Sequence, residues 1–248
     1  FRRESRDIEG VISELHELVN QADDIKEEQQ RGNHQAVQSF ELYFSSIDDW
    51  RNFEENGGIR NLNEKIGETT DLLYKVLLPM AGILTEIGRE DNSLPPEIVP
   101  YIGSITKGRE EQILQDNYKA VAKLALARGI YVAHLGWLAK MVEIGAEVVA
   151  DPGLNAYNHM SISVLNGLGA KAVNWSLELA SNSDGNYPLM QTEHRFPMAR
   201  LKGKREHDVR IVNNEFSSQS VVLPCGDDSN LSERVLKCLR EGRFRLYV

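Results

Sequence analysis

The chain has 248 residues, 41% of them hydrophobic, with 37 acidic against 28 basic side chains and a formal charge of −9. That length and composition suit one large domain with a substantial core, and the negative total disfavours a protein that coats nucleic acid through its overall field while permitting a local basic face. No apolar run approaches the roughly 18 residues of a membrane-spanning helix, and the opening FRRESRDIEG has no apolar signal segment behind its positive charges, so no membrane partner is expected and a cytoplasmic setting is the default.

Residues 4 to about 30 read as one amphipathic helix, because Ile8, Val11, Ile12, Leu15, Leu18 and Val19 recur at three- and four-residue steps. Gly32 and Asn33 stop it, which sets residues 1–35 apart as a helical extension ahead of a barrel-type, catalytic-like domain over 36–248. Phe1 is not an initiator methionine, so a processed product or a segment of a longer chain is expected.

FELYFS (40–45) reads as a strand, and Ser46 with Asp49 has the spacing to cap a helix through DDWRNFEEN that Gly57 and Gly58 end. LLYKVLLP (72–79) is continuous enough for a strand buried on both sides. The prolines and glycines of REDNSLPPEIVPYIGSITKG predict a loop, and REEQILQDNYKAVAKLALARG predicts one helix ended by Gly129.

The clearest rhythm follows: IYVAHL, helix GWLAKMVEIG, AEVVADPG, helix AYNHMSISVLNGLG, then AKAVNWSLEL. Each helix ends on a glycine and a strand starts at once, as short connections in a βαβαβ series require. NYPLMQTEH is the next candidate strand, HDVRIVN and SQSVVLP are the arms of a hairpin, Asn230 and Glu233 cap a helix, and RFRLYV closes the chain. Seven candidate parallel strands without a dinucleotide-type glycine fingerprint predict an α/β fold, a TIM-like (β/α) barrel, complete or incomplete.

Functional groups of such a barrel gather at the carboxyl ends of its strands. Those ends carry His134, Asp151 with Asn155 and Asn158, Asn174 with Ser176 and Glu178, and then Gln191, Glu193 and His194. Amides, carboxylates and a histidine at one mouth are the inventory for orienting a polar substrate and moving protons. Plainer roles compete: Asn155 as cap of a helix starting near Ala156, Asn158 serving the backbone of its first turn, His134 as a packed strand residue. Glu178 closes an apolar strand, which is costly unless the carboxylate is exposed or paired. Arg200, Lys202, Lys204 and Arg205 form a basic stretch against only Glu206 and Asp208, suited to an RNA backbone. The two cysteines, Cys225 and Cys238, are too few to hold an iron–sulfur cluster from this chain alone. No nucleophile elbow, HExxH box or phosphate loop is present, so spacing alone names no reaction and no cofactor.

The run from Gly129 to Ala180, followed by YPLMQTEHRFP, resembles the collagenase-like peptidase family, peptidase family U number thirty-two. The resemblance rests on Leu135-Gly136, Leu154-Asn155, Asn158, Ser176, Glu178-Leu179, Pro188-Leu189-Met190 and Glu193-His194. It implies a TIM-like barrel and a hydrolase for peptide bonds, with Glu178 and His194 catalytic and Asn155, Asn158, Ser176, Glu193 and Arg195 binding substrate. Family members also include enzymes linked to hydroxylation of RNA bases or quinone precursors, some with an iron–sulfur cluster on cysteines. Arg195 stands where the family's motif has a cysteine, and the acidic helix of residues 4–30 replaces the family's glycine- and alanine-rich opening. A non-proteolytic modifying enzyme, an accessory RNA-binding module, and a half that packs on a partner subunit or on missing barrel strands are therefore the alternative expectations.

Overall fold

In the computed structural model, which describes residues 39–66, 73–88, 94–177, 179, 231–240 and 245–248 and the backbone of four short strands between 190 and 224, alternation along the first strand sets the plan. β1 (Ser39–Tyr43) turns Phe40 and Leu42 to one side and Glu41 and Tyr43 to the other. The Ser46 side chain then accepts from the Asp49 backbone N–H and caps α1 (Ile47–Glu55) as its spacing predicts, and α2 (Gly58–Ile66) follows. β2 (Leu73–Pro79) leads into one helical turn, Met80–Gly82, that continues as a π-helical turn at Ile83–Ile87. β3 (Ile98–Ile102), α3 (Arg109–Asp116), α4 (Tyr118–Arg128), β4 (Ile130–Val132), α5 (Leu135–Glu143), β5 (Val148–Ala150), α6 (His159–Gly167) and β6 (Ala172–Val173) continue the alternation. Four strands come next, β7 (Met190–Thr192), β8 (Ala199–Leu201), β9 (Val209–Asn213) and β10 (Ser220–Pro224), before α7 (Leu231–Arg240) and β11 (Arg245–Tyr247).

Seven strands form one all-parallel sheet in the order β11-β1-β2-β3-β4-β5-β6. Arg245 on one edge strand meets Asp151, just past the strand next to the other edge, at 2.7 Å. A flat sheet would hold those residues five strands apart, so the sheet is curled into a half-barrel that, among the described residues, stays open between β6 and β11. Its convex side carries the main core: Phe40, Leu42, Val76, Leu78, Ile98, Ile130 and Val148 pack under Trp137 and Met141 of α5 and Val235 and Cys238 of α7. The fold is thus α/β and barrel-like, and the parallel wall is incomplete.

Three expectations need correction. The proline-bearing stretch is not all loop, since Ile98–Ile102 is a central strand paired on both sides. Pro100 removes one ladder donor, but Ile98, Pro100 and Ile102 share the convex side and are all buried, so apolar burial outweighs the missing bond. The single helix predicted over 109–128 breaks at Asn117, whose backbone N–H and side-chain Nδ2 both donate to the Ile113 carbonyl, a local bond that competes with helix continuation. Met190–Thr192 is not the next parallel strand. It pairs antiparallel with β10 in a second sheet of order β7-β10-β9-β8, where it satisfies the edge that the predicted β9–β10 hairpin leaves open. Residues 1–38, with the predicted N-terminal helix and the boundary near residue 35, lie outside the described residues.

At the carboxyl rim the loops after three strands touch at Gly153. A Cβ there would lie 2.8 Å from the Ala133 Cβ and 2.9 Å from the Ser104 Cβ, short of van der Waals contact. Gly153→Ala is expected to destabilise the fold by about 1–3 kcal/mol, measured by urea unfolding, because both neighbours are attached close to the backbone and have little room to yield.

Candidate active site

The concave side of the half-barrel is not the layer of branched aliphatic side chains that ordinarily fills a parallel barrel. Register puts Glu41 between Arg245 and Lys75, Tyr43 between Tyr247 and Leu77, and Tyr101 beside Tyr131. Tyr43 and Tyr101 stack with ring centres 4.3 Å apart, and Tyr247 leans on Tyr43 at 5.0 Å. Burial, foremost, holds the pKa values of Tyr43, Tyr101 and Tyr131 well above the ordinary phenol value and pushes Tyr247 up to about 12. At neutral pH these hydroxyls are therefore protonated donors, as Tyr101 shows by donating to the Phe44 carbonyl at 3.1 Å.

Arg245 organises the chamber. Its Nε donates to the Glu41 Oε2 at 2.7 Å and its Nη1 to the Asp151 Oδ1 at 2.7 Å. Tyr131 donates its hydroxyl to the other Glu41 oxygen, and Asn174 Nδ2 donates to Asp151 Oδ1 at 3.3 Å. The guanidinium lies over the Tyr43 and Tyr131 rings, 5.8 and 5.4 Å from their centres. Burial by itself would favour losing the proton, but Asp151 and Glu41 outweigh it and keep Arg245 charged, with its pKa well above the ordinary value. Nη2 is buried and meets no acceptor at full hydrogen-bond geometry, while the Tyr247 hydroxyl interacts with the guanidinium and helps hold its charge. Asp151 is free for this task because it stands at the N-cap of the short 3-10 turn Pro152–Leu154 without spending its side chain on the cap.

The rim beside this chamber carries two neighbouring carboxyls of opposite character. Glu110, in the first turn of α3, is buried, and burial with the adjacent Glu111 charge raises its pKa to about 7. Its charge is one of the effects that raise the Tyr101 pKa, and it shares a helix face with Leu114, which is buried in the main core. For Glu111 burial is the largest single effect and raises the pKa, but hydrogen bonds from Thr106, Gln115 and Trp137 and the Lys140 charge together outweigh it, so its carboxyl is held below the ordinary value. Glu111 also lines an open groove of about 530 Å³ with Thr106, Lys107, Gln112, Gln115 and His134. His134 caps α5, accepting the Trp137 backbone N–H on Nδ1 at 3.4 Å; it is neither simply packed nor free.

Of the residues that the strand ends nominate, Asn155, Asn158 and Ser176 come together. The Ser176 backbone N–H donates to the Ala156 carbonyl at 3.0 Å and docks the end of β6 onto the β5–α6 loop. Asn158, not Asn155, caps α6, in a reciprocal box with Ser161. Asn155 takes a left-handed conformation, φ 54°, the one non-glycine to do so among the described residues, which its short amide tolerates. Ser176 is buried. Glu178, Glu193, His194, Arg195, Lys202, Lys204 and Arg205 lie outside the described residues, and of the basic stretch Arg200 alone is placed, on β8 directly across from Arg210 of β9. As for an iron–sulfur cluster, Cys238 is buried in the convex core, away from the chamber, and does not fit as a ligand there.

Sequence reading named Asp151 and Asn174 but not Glu41, Lys75, Arg245 or the tyrosines. The signal was present: FELYF, LYKVL and RLY each hold a charged residue at the inward parity of an otherwise apolar strand, and a mid-strand charge is costly unless paired. No family model, curated protein or solved structure matches the chain.

Removing the guanidinium alone should be severe. Arg245→Met is expected to cost about 3–5 kcal/mol in urea unfolding because Glu41 and Asp151 remain buried and uncompensated, and adding Glu41→Gln with Asp151→Asn should recover most of it. Glu110 gives a pH test. Its protonated form is favoured by the fold, so its contribution is intact below about pH 4.5 and is lost as pH rises through about 7. Relative to Glu110→Gln, the native protein should lose on the order of 3 kcal/mol across that window, read from chemical unfolding at a series of pH values.

Proposed function

We propose that the chain is a hydrolase of the collagenase-like peptidase kind, acting on peptide bonds at the carboxyl mouth of a TIM-type barrel of which the seven parallel strands are the greater part. The observation that carries this reading is the buried layer of tyrosines, carboxylates and a guanidinium on the concave side, with Asp151 and Asn174 just past the ends of β5 and β6. It gains support from the stretch that bears the family resemblance, whose described part coincides with β4-α5-β5-α6-β6 and contributes Asp151, Asn174 and Ser176 to that end. In the proposed reaction the Glu110 carboxylate takes a proton from a water that attacks the amide carbonyl carbon. The carbon–nitrogen bond then breaks, and the same group returns the proton to the leaving nitrogen. Asp151, fixed by Arg245 and Asn174, orients the peptide, and Glu178 and His194 join from the segment after β6. Asn155, Asn158, Glu193 and Arg195 complete the binding surface. The chemistry calls for a base that is anionic at neutral pH and still able to act as an acid, which Glu110 supplies.

A second reading, an RNA-modifying enzyme or accessory module, is favoured by the cross-strand pair Arg200 and Arg210. Two cations directly opposite one another destabilise a hairpin unless an anion lies nearby, and Lys202, Lys204 and Arg205 belong to the same stretch.

Fluorogenic gelatin-type peptides incubated with the full chain should be cleaved with kcat/KM rising between about pH 6 and 8, and Glu110→Gln should lower kcat by about a hundredfold or more. Cleavage that is unaffected by Glu110→Gln would remove that residue from the chemistry. A panel of peptides left intact, with salt-sensitive retention of single-stranded RNA that Arg200→Ala with Arg210→Ala abolishes, would replace the first reading by the second.

A further inference from the structure

Glu110 is 7% exposed and lies on the face of α3 that also carries the core residue Leu114. What acts on its carboxyl is burial and the Glu111 charge, with no hydrogen bond and no cation among the described residues. The elements packed against α3 supply neither. The turn Met80–Gly82 is wholly apolar. Lys119, Lys123 and Arg128 of α4 do not act on the carboxyl, and Arg128 gives its guanidinium to the Leu94, Pro95 and Ile98 carbonyls. Tyr101 of β3 is near enough to feel the Glu110 charge, but its hydroxyl donates to the Phe44 carbonyl. Lys140 of α5 acts on Glu111 instead. The helix start is itself weakly fixed, since Gly108 stands at the N-cap with φ 68° and no side chain caps the first turn. What tethers that turn is Glu111, whose carboxylate accepts from Trp137 Nε1 at 3.0 Å and from the Gln115 amide while it walls the open groove with Thr106, Gln112 and His134.

We infer that the first turn of α3 is a proton-controlled latch on this groove: closed, with Glu111 held on Trp137, while Glu110 is protonated, and unwound from Gly108 when Glu110 is ionised. A buried carboxylate without a donor or a cation is costly, whereas fraying one uncapped helical turn gives up little and returns the charge to water. Glu110 and Glu111 are consecutive residues of that turn, so unwinding it for the first draws the second off the Trp137 indole and reshapes the groove wall. The direction follows from linkage. The closed form binds the proton more tightly than the open one, with the Glu110 pKa pushed up to about 7, so closure is firmest below about pH 4.5 and weakens as pH rises through about 7. The latch does not depend on peptide hydrolysis, and its test needs no substrate.

Hydrogen exchange on the full chain tests this, with rates corrected for the intrinsic effect of pH. Between pH 5 and 7 the open-to-closed ratio of the first α3 turn should rise about thirtyfold, read from the α3 amides. In Glu110→Gln, which carries no charge at either pH, that rise should vanish. On the native chain the nuclear magnetic resonance signal of the Trp137 indole N–H should move with the same pH dependence as its bond to Glu111 is lost. Exchange of the α3 amides that does not change with pH, or changes equally in Glu110→Gln, overturns the inference. So does a rise shared equally by α4, β3 and β4, which is loss of the whole fold, and so does a Trp137 signal that stays fixed while the α3 amides respond.

Discussion

The bond from Arg245 to Asp151 is the constraint on which the half-barrel's shape rests. An open seven-stranded sheet has two free edges, and backbone ladders fix only the distance between neighbours, leaving the curl to side chains. Arg245 reaches from the first strand in sheet order to the residue just beyond the sixth, at 2.7 Å, while its other arm holds Glu41 on the adjacent strand. That chord across the interior is compatible with one curvature. Because two carboxylates and a guanidinium must leave water to make it, its net contribution to stability is small against an apolar filling of the same volume. What it contributes is a single geometry, and with it the spacing of every group at the mouth.

The aromatic rings belong to the same device. Tyr43 and Tyr131 present their faces to the guanidinium, and Tyr131 uses its hydroxyl to satisfy the Glu41 oxygen that Arg245 does not reach. A Leu or Val at either position would fill space but leave a carboxylate oxygen or a buried N–H without an interaction partner. The interior is therefore charged and aromatic together, each property making the other tolerable. Lys75, with its Nζ 5.9 Å from the centre of the Tyr131 ring, adds a second cation to the same wall, so the chamber's formal charge is close to balanced.

The convex half of the structure was legible in sequence, and the concave half was not. Runs such as IYVAHL and AEVVADPG announce strands because every second residue must be apolar to meet the helices, and the glycines that end the helices mark the connections. Ser46 and Asn158 act locally, within three residues, so their capping roles follow from spacing. Arg245 and Asp151, by contrast, are 94 residues apart, and no local pattern says which distant carboxylate a mid-strand arginine meets. The strand at Ile98–Ile102 was hidden for another reason: Pro95, Pro96 and Pro100 are turn signals in isolation, and the ladders to β2 and β4 that override them are made with residues more than twenty positions away. Met190–Thr192 misled in the opposite sense, since a short apolar run is equally suited to either kind of ladder and its partner strand lies further along the chain.

The interior and the rim divide the chemical work. Inside, the tyrosines keep their protons because burial opposes the phenolate, and Arg245 keeps its charge because Asp151 and Glu41 surround it. Groups so held can bind and orient but cannot exchange protons near neutrality. Glu110 differs because it is buried without a cation or a strong donor to stabilise its anion, and its like-charged neighbour Glu111 has the donors instead. One turn of helix thus shifts two carboxyls in opposite directions from the ordinary value, through burial on one and hydrogen bonds on the other. Glu110, with its pKa raised to about 7, is a carboxyl poised to change protonation near neutrality while the tyrosines and Arg245 beside the sheet stay fixed.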